Sequence, residues 1–430
     1  MKNIFFLLFL NLLLISQAST GANLPRVLEN TVYADNLKTV EMYRDGWKLS
    51  NPILTLNNEE QLIFSFDDLD NEQKDYYYTI YHCDRNWRIS KIPQQDYLDS
   101  FLDFPITDAE YSVNTKVRYI NYVLRIPNED VPLKLSGNYA LVVFDRDQPD
   151  QPLITWRFYV VEPKVSINAR IRRASYDPVN GENQEIDFII DYGNYPIQDP
   201  SADLKVVLTQ NNRSDNAITD LKPLYISSGR LEYDYSQENV FKGVNEFRSF
   251  EIRGIKYPGE GVAEIGFYDP VYHATLLTDQ IRTQKKYAST KDLNGNFYIE
   301  AYNQTVPEIE ADYLFVHFTL ALNQPFLGGG VYVFGSLSNW QCNPQNQMKW
   351  NFEKHQYELI MLLKQGYYNF MYAYKNDNES VAKCENLEGS HNETENDYQI
   401  YVYHGKITDR YDRLIGCQKF NSLTNRTFIP

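Results

Sequence analysis

The residues of this chain that could do chemistry are scattered, and their spacing matches no familiar site. The six histidines, His82, His273, His317, His355, His391 and His404, form no HxH or HExxH pair, so the ligand pattern of a zinc hydrolase is missing. GxSxG, the phosphate loop with its Lys-Ser/Thr, and GxGxxG do not occur either. Gly328-Gly329-Gly330 precedes a strand pattern rather than a helix, and reads as a mobile turn. Asp67, Asp68, Asp70 and Glu72 could gather around Ca²⁺, since closely spaced carboxylate oxygens suit that ion. The glycine of a calcium loop is missing, so a solvated acidic loop is the preferred reading. Cys83, Cys342, Cys384 and Cys417 contain no CxxC pair. A Cys342–Cys384 bridge, a Cys384–Cys417 bridge and buried free thiols all stay open. The expectation is a protein that is not an enzyme, with no catalytic residues, no metal and no cofactor.

Binding residues are easier to nominate. The run Val331-Tyr332-Val333-Phe334-Gly335-Ser336-Leu337-Ser338-Asn339-Trp340, followed by the glycine corner at Gly366, is similar to glycogen-binding modules. In that reading Trp340 and Trp350 would form a sugar-stacking platform. A tryptophan after such a turn can equally cap the core, and that is preferred. The segment 91–112 carries Ile92, Tyr97, Leu98, Phe101, Leu102, Phe104 and Ile106 around Pro93 and Pro105, which is very apolar for a connection. It can fold back over its own domain. It is also the best sequence candidate for a partner contact, with Tyr97, Leu98, Phe101 and Phe104 as the anchors, because interface cores favour aromatic over charged residues. Segment 376–397 is polar and acidic, and an exposed loop is expected there.

The elements that position these residues are strands. With 35 Tyr, 23 Phe and 5 Trp, aromatics make up 15% of the chain, and aromatic side chains suit a pleated, half-buried surface. A glycine, one residue, a tyrosine and an alternating strand recur: Gly137-Asn138-Tyr139 and Gly366-Tyr367-Tyr368, with a related corner at Gly261. This resembles the corner of an immunoglobulin-like sandwich. The glycines lie 124 and 105 residues apart, close to the roughly 100-residue size of one sandwich. The predicted fold class is therefore all-β, a tandem of immunoglobulin-like (E-set-like) β-sandwiches. Predicted boundaries are a signal peptide at 1–18 and sandwiches at 19–162, 163–285 and 286–430.

Lys2 precedes an apolar run of residues 4–15 and the Ser16-Gln17-Ala18 site, the pattern of a secretory signal. The run is shorter than the roughly 20 residues that span a bilayer, so export without direct membrane insertion is expected. A net charge of −16 argues against nucleic acid, whose binding draws on cationic contacts.

Longer strings point to one family. His82-Cys83-Asp84-Arg85-Asn86-Trp87, Tyr111-Ser112-Val113-Asn114-Thr115, Tyr119, Tyr122, Pro127-Asn128, Ser136-Gly137-Asn138-Tyr139 and Arg157-Phe158-Tyr159-Val160 resemble the first domain of the type IX secretion plug proteins. His391-Asn392-Glu393-Thr394-Glu395-Asn396-Asp397-Tyr398, Asp409-Arg410-Tyr411-Asp412 and Leu414-Ile415-Gly416 resemble the C-terminal region of that family. Ser100 departs from the glycine expected there. The resemblance implies a periplasmic protein that is a monomer within a complex, held at the inner face of the outer membrane by its partner. That partner would be the translocon β-barrel of the type IX secretion system, whose periplasmic opening the protein would plug and so gate export. The motifs themselves read as structural, and the alternative function is a periplasmic glycan-binding protein built on the third domain.

Overall fold

The computed structural model describes residues 24–98, 103–176, 181–193, 195–235, 237–406 and 408–425. The expected signal segment and Phe101 lie outside the described residues. Within them the chain is mostly strand, interrupted by helices of only four residues.

The first sandwich is built on aromatic alternation. One sheet runs in spatial order Thr31–Val32, Pro152–Val161, Gly137–Asp145, Tyr76–Cys83 and Phe104–Pro105, with Ile53–Thr55 added parallel to Pro152–Val161. The facing sheet runs Leu37–Arg44, Leu62–Asp68, Ile120–Ile126 and Asp108–Tyr111. Leu62, Phe64 and Phe66 point into the core and stack with Tyr76 and Tyr122, the Phe66 and Tyr122 rings lying 5.1 Å apart. The other face of that strand carries Ile63, Ser65 and Asp67, and these are buried as well. A strand buried on both faces needs a cover on its outer side. The cover here is the third sandwich.

The second and third sandwiches are nested. The second pairs Ser166–Arg173, Asn183–Asp191, Arg230–Tyr233 and Tyr225–Ser227 in one sheet, with Val240–Lys242 joined to Asn183–Asp191. Its other sheet is Ile218–Thr219, Leu204–Gln210, Asp397–His404 and Arg413–Asn421. Leu204–Gln210 therefore takes its partner from nearly 200 residues downstream, in register from Leu204 opposite His404 to Gln210 opposite Tyr398. Leu204, Val206, Leu208, Tyr398, Ile400 and Val402 alternate onto one inner face.

Between the two halves, the chain leaves to make the third sandwich and returns. One of its sheets holds Arg248–Glu251, Gly366–Asn376, Phe297–Ile299 and Gly329–Phe334. The other runs Val262–Tyr268, Val271–Leu276, Tyr313–Ala321, Gln356–Lys364 and Lys349–Asn351, with Asp279–Gln280 beside Tyr313–Ala321. A division into 163–285 and 286–430 cuts through both of these sheets, so those two sequence-based boundaries are corrected. The error came from Gly261: its strand, like that after Gly366, belongs to the third sandwich. Insertion at one end of a sandwich costs the host little, because the exit and return points lie close together.

Tyrosine corners hold at the other two glycines. The Tyr139 hydroxyl donates to the Leu135 carbonyl at 2.8 Å and the Tyr368 hydroxyl to the Lys364 carbonyl at 2.5 Å. Segment 376–397, expected to be an exposed loop, instead carries the short helix Glu385–Glu388 with Leu387 and Glu388 buried. It is the return crossing from third to second sandwich.

Candidate functional site

Many of the buried charged and polar side chains gather at the joints between sandwiches. The joint of first and third sandwiches is centred on Asp67. Its Oδ2 accepts from Lys364 Nζ at 2.6 Å and from the Tyr313 hydroxyl at 2.7 Å, while Oδ1 accepts from Asn121 Nδ2 at 2.8 Å. Lys364 also donates to the Glu308 carbonyl at 2.6 Å and lies 4.1 Å above the Tyr119 ring. Both charged side chains are almost wholly excluded from water, Asp67 at 0% and Lys364 at 2% exposure. Burial holds the Lys364 ammonium below its ordinary pKa despite the opposing pull of Asp67. Burial likewise pushes the Glu41 carboxyl beside this pair up to about 7. At the rim, the Asp312 carboxylate accepts the backbone N–H of Lys116 and Val117 at 2.7 and 3.0 Å, and the Tyr119 hydroxyl donates to the Ala311 carbonyl at 2.8 Å.

The joint of first and second sandwiches combines loops with facing strands, Val161 packing with Tyr401, Tyr403 and Leu414. Asp412 accepts from the Arg85 backbone N–H at 3.0 Å and from its guanidinium at 3.3 Å. The Tyr403 hydroxyl donates to Asn138 Oδ1 at 2.8 Å, and Arg410 pairs with Asp96 at 2.9 Å. His82 is fully buried among the Tyr97, Tyr139 and Tyr411 rings, and burial pushes its pKa down to about 4. Gly137 is required here, since its φ is +149° and a Cβ would come 2.4 Å from His82 Nε2 and 3.2 Å from the Asp412 carbonyl.

At the crossing between second and third sandwiches, Gln184 donates to the carbonyls of Asn392 and Thr394 at 2.7 and 2.8 Å. Asn396 donates to the Gln184 side chain at 3.1 Å and to the Gly243 carbonyl at 2.9 Å. The buried Glu388 carboxylate is clamped by Arg248 at 2.9 Å and Arg282 at 2.6 Å, which holds it below its usual pKa against the penalty of burial.

These groups are already partnered for structure, and the sequence candidates fare accordingly. Asp67 and Asp68 are no solvated loop: both are buried, with Asp68 bonded to Tyr76 at 2.8 Å and to Lys74 at 3.1 Å. Glu185, Asp187 and Asp234 bring carboxylate oxygens together, but Arg172 reaches all three at 2.6–3.3 Å and supplies the cation itself. All four cysteines are free thiols, and Cys342 and Cys384 share one small apolar cluster without bridging.

Tyr97 and Leu98 do not form an exposed partner patch. They are 4% and 1% exposed, and the Tyr97 hydroxyl donates to the Ile80 carbonyl at 3.2 Å. Phe104 packs half-buried on the same core, 5.8 Å from the Tyr78 ring. The described apolar residues of segment 91–112 thus fold back on their own sandwich, with Ile92, Tyr97, Leu98 and Ile106 in its core. Trp340 is half-buried against Phe334 and Phe247, with ring centroids at 5.5 and 5.9 Å. Trp350 packs against Tyr357 at 5.0 Å. The two tryptophans belong to different apolar clusters.

The family model for the type 9 secretion system plug protein first domain matches residues 37–162. Those residues run from the Leu37–Arg44 strand to the end of the first sandwich. The first sandwich is a type 9 secretion system plug protein first domain. A hypothetical protein from Parabacteroides merdae, known from its crystal structure, is similar at 38% identity, covering 92% of this chain and 99% of that one, with a TM-score of 0.90. That likeness extends the shared fold through the nested sandwiches. No curated protein matches the chain.

Most of the strings that carried the resemblance hold joint residues, while Tyr122 stacks in the first core and Asn128 bonds to the Tyr78 hydroxyl. His82 to Trp87, Ser136 to Tyr139 and Asp409 to Asp412 meet at one joint, Tyr111 to Thr115 and Tyr119 line another, and His391 to Tyr398 make the crossing. Lys364 and Glu388 were missed in the sequence. The available signal for Lys364 was a lysine closing an otherwise apolar strand directly before a glycine corner. Among the described residues no helix is long and apolar enough to cross a membrane. Large apolar side chains stand exposed on the third sandwich, notably Tyr268, Leu327, Phe352 and Ile360.

Proposed function

We propose that this protein is the periplasmic plug of the type 9 translocon: a non-catalytic body seated against the periplasmic opening of the outer-membrane β-barrel, gating export by occupying it. The observation that carries this reading is the joint chemistry. Three sandwiches are tied by buried polar contacts at every junction, and a stopper under load needs a body that does not bend. Exposed aromatic and aliphatic side chains of the third sandwich, in place of segment 91–112, supply the partner-facing anchors, since a few large side chains carry most of the energy of an interface. The glycan-binding alternative loses its support, because Trp340 and Trp350 each pack into an apolar cluster.

The test is a pull-down from detergent-solubilised outer membrane with mass-spectrometric identification of the captured protein, alongside an outer-membrane leakage assay in a deletion strain. Capture of the translocon barrel together with leakage to large solutes is expected. A strain that stays sealed, or a bait that retains no barrel, would overturn the reading.

A further inference from the structure

The outer face of the third sandwich brings two imidazoles together. Val271–Leu276 and Tyr313–Ala321 pair in parallel, with His273 opposite Phe315 and Thr275 opposite His317. Alternation sends Ala274, Leu314 and Val316 into the core, and His273 and His317 out on the other face as diagonal neighbours. His273 Nδ1 lies 2.8 Å from His317 Nε2. The rings are half-exposed, with Tyr268 edge-on to His273 at 5.1 Å and Ile360 cross-strand from His317.

We propose that His273 and His317 chelate one divalent cation of the zinc and copper class. Imidazole suits those ions. Two nitrogens bound at about 2.0–2.1 Å lie roughly 2.9–3.4 Å apart for bond angles near 90–110°, so the pair needs to open by only a few tenths of an ångström. Each ring must also turn about its outer torsion to aim a lone pair at the shared point, giving up the hydrogen bond that now joins them. Water fills the remaining positions. The site does not depend on the plug reading, since it is a property of the isolated chain.

The experiment is calorimetric titration of the full mature protein, with any affinity tag removed, using Cu²⁺ and Zn²⁺ in turn. One equivalent is expected, bound by both imidazoles. Loss of a partner one shell out from a metal ligand already costs about 10- to 100-fold in affinity, so His273→Gln and His317→Gln should each weaken binding by at least about tenfold. A double variant that binds the same number of equivalents with wild-type affinity would overturn the proposal. Should a variant fail to fold, electron paramagnetic resonance of Cu²⁺ on the wild-type protein decides. Coupling to two imidazole nitrogens supports the site, and its absence refutes it.

Discussion

Replacing Lys364 with methionine removes the charge at the first-to-third joint while keeping nearly the same length and volume. Asp67, wholly buried, then keeps only neutral donors, the Tyr313 hydroxyl and the Asn121 amide. Breaking a buried ion pair by deleting one partner costs about 3–5 kcal/mol, because the survivor stays buried and uncompensated. The two remaining hydrogen bonds keep the loss toward the lower end, about 3 kcal/mol, or roughly 150-fold in population. Asp67→Asn leaves Lys364 with the Glu308 carbonyl and the Tyr119 ring, and its cost should be similar. The double variant carries no buried charge at this point, and replacing a whole pair is often nearly neutral. Non-additivity of at least about 2 kcal/mol is therefore expected from the cycle. Urea unfolding followed by tryptophan fluorescence and circular dichroism measures it. Because the pair joins two sandwiches, each single variant should also split one cooperative transition into two. A Lys364→Met protein within about 1 kcal/mol of wild type, or strictly additive losses, would refute the argument that this pair locks the joint.

Three further outcomes follow from the same geometry. Trp340→Ala should cost about 2 kcal/mol, below the range of about 3–5 for fully buried aromatics, and leave retention on α-glucan resin unchanged at the wild-type level, read by thermal melts and affinity electrophoresis. Gly137→Ala should prevent stable docking of the C-terminal loop, since its Cβ meets backbone at Asp412 as well as the His82 ring; faster proteolysis near 405–412 is the readout. Glu41, its pKa raised to about 7 beside Lys48, Lys364, Asp67 and Glu308, prefers to be protonated in the fold. Stability from it is present below its unfolded value near 4.5 and is lost as pH rises through about 7. Glu41→Gln should therefore gain on wild type by about 2–3 kcal/mol between pH 5 and pH 8, measured by denaturant midpoints at each pH.

What the sequence reveals is set by how local the cause is. Tyr139 and Tyr368 announce their corners because hydroxyl and carbonyl lie four residues apart in one chain segment. The first sandwich is legible as a unit because its strands all come from one unbroken stretch of chain, Thr31 to Val161, even where a pair such as Thr31 and Thr155 spans most of it. Gly261 misled because a glycine before an apolar strand specifies a turn and says nothing of which sheet the strand joins. Leu204–Gln210 pairs with Asp397–His404, and no local pattern records a partner that distant. Asp67 is the sharpest case. In the sequence it is one of four acidic residues at short spacing, yet its burial is decided by Lys364, 297 positions away. His273 and His317 are 44 residues apart and show no motif, because a parallel pairing of strands brings them together.

The joints also constrain how a plug of this construction could open. Swinging the third sandwich away from the first would rehydrate Asp67 and Lys364, which offsets much of their lost pairing, but it would also break the Asp312 contacts to Lys116 and Val117 and the Tyr119 bond to the Ala311 carbonyl. The third sandwich is further held at the crossing by Glu388 between Arg248 and Arg282. Bending is therefore the expensive route. An interface of standard size buries about 1,600 Å² yet spans micromolar to picomolar affinity according to its few anchor residues. On the function proposed above, opening is then release or rocking of the whole body, and its control lies in the contact with the barrel. Substitutions at exposed Tyr268, Phe352 or Ile360 should change leakage without changing stability, whereas substitutions at Asp67 or Arg248 should change both.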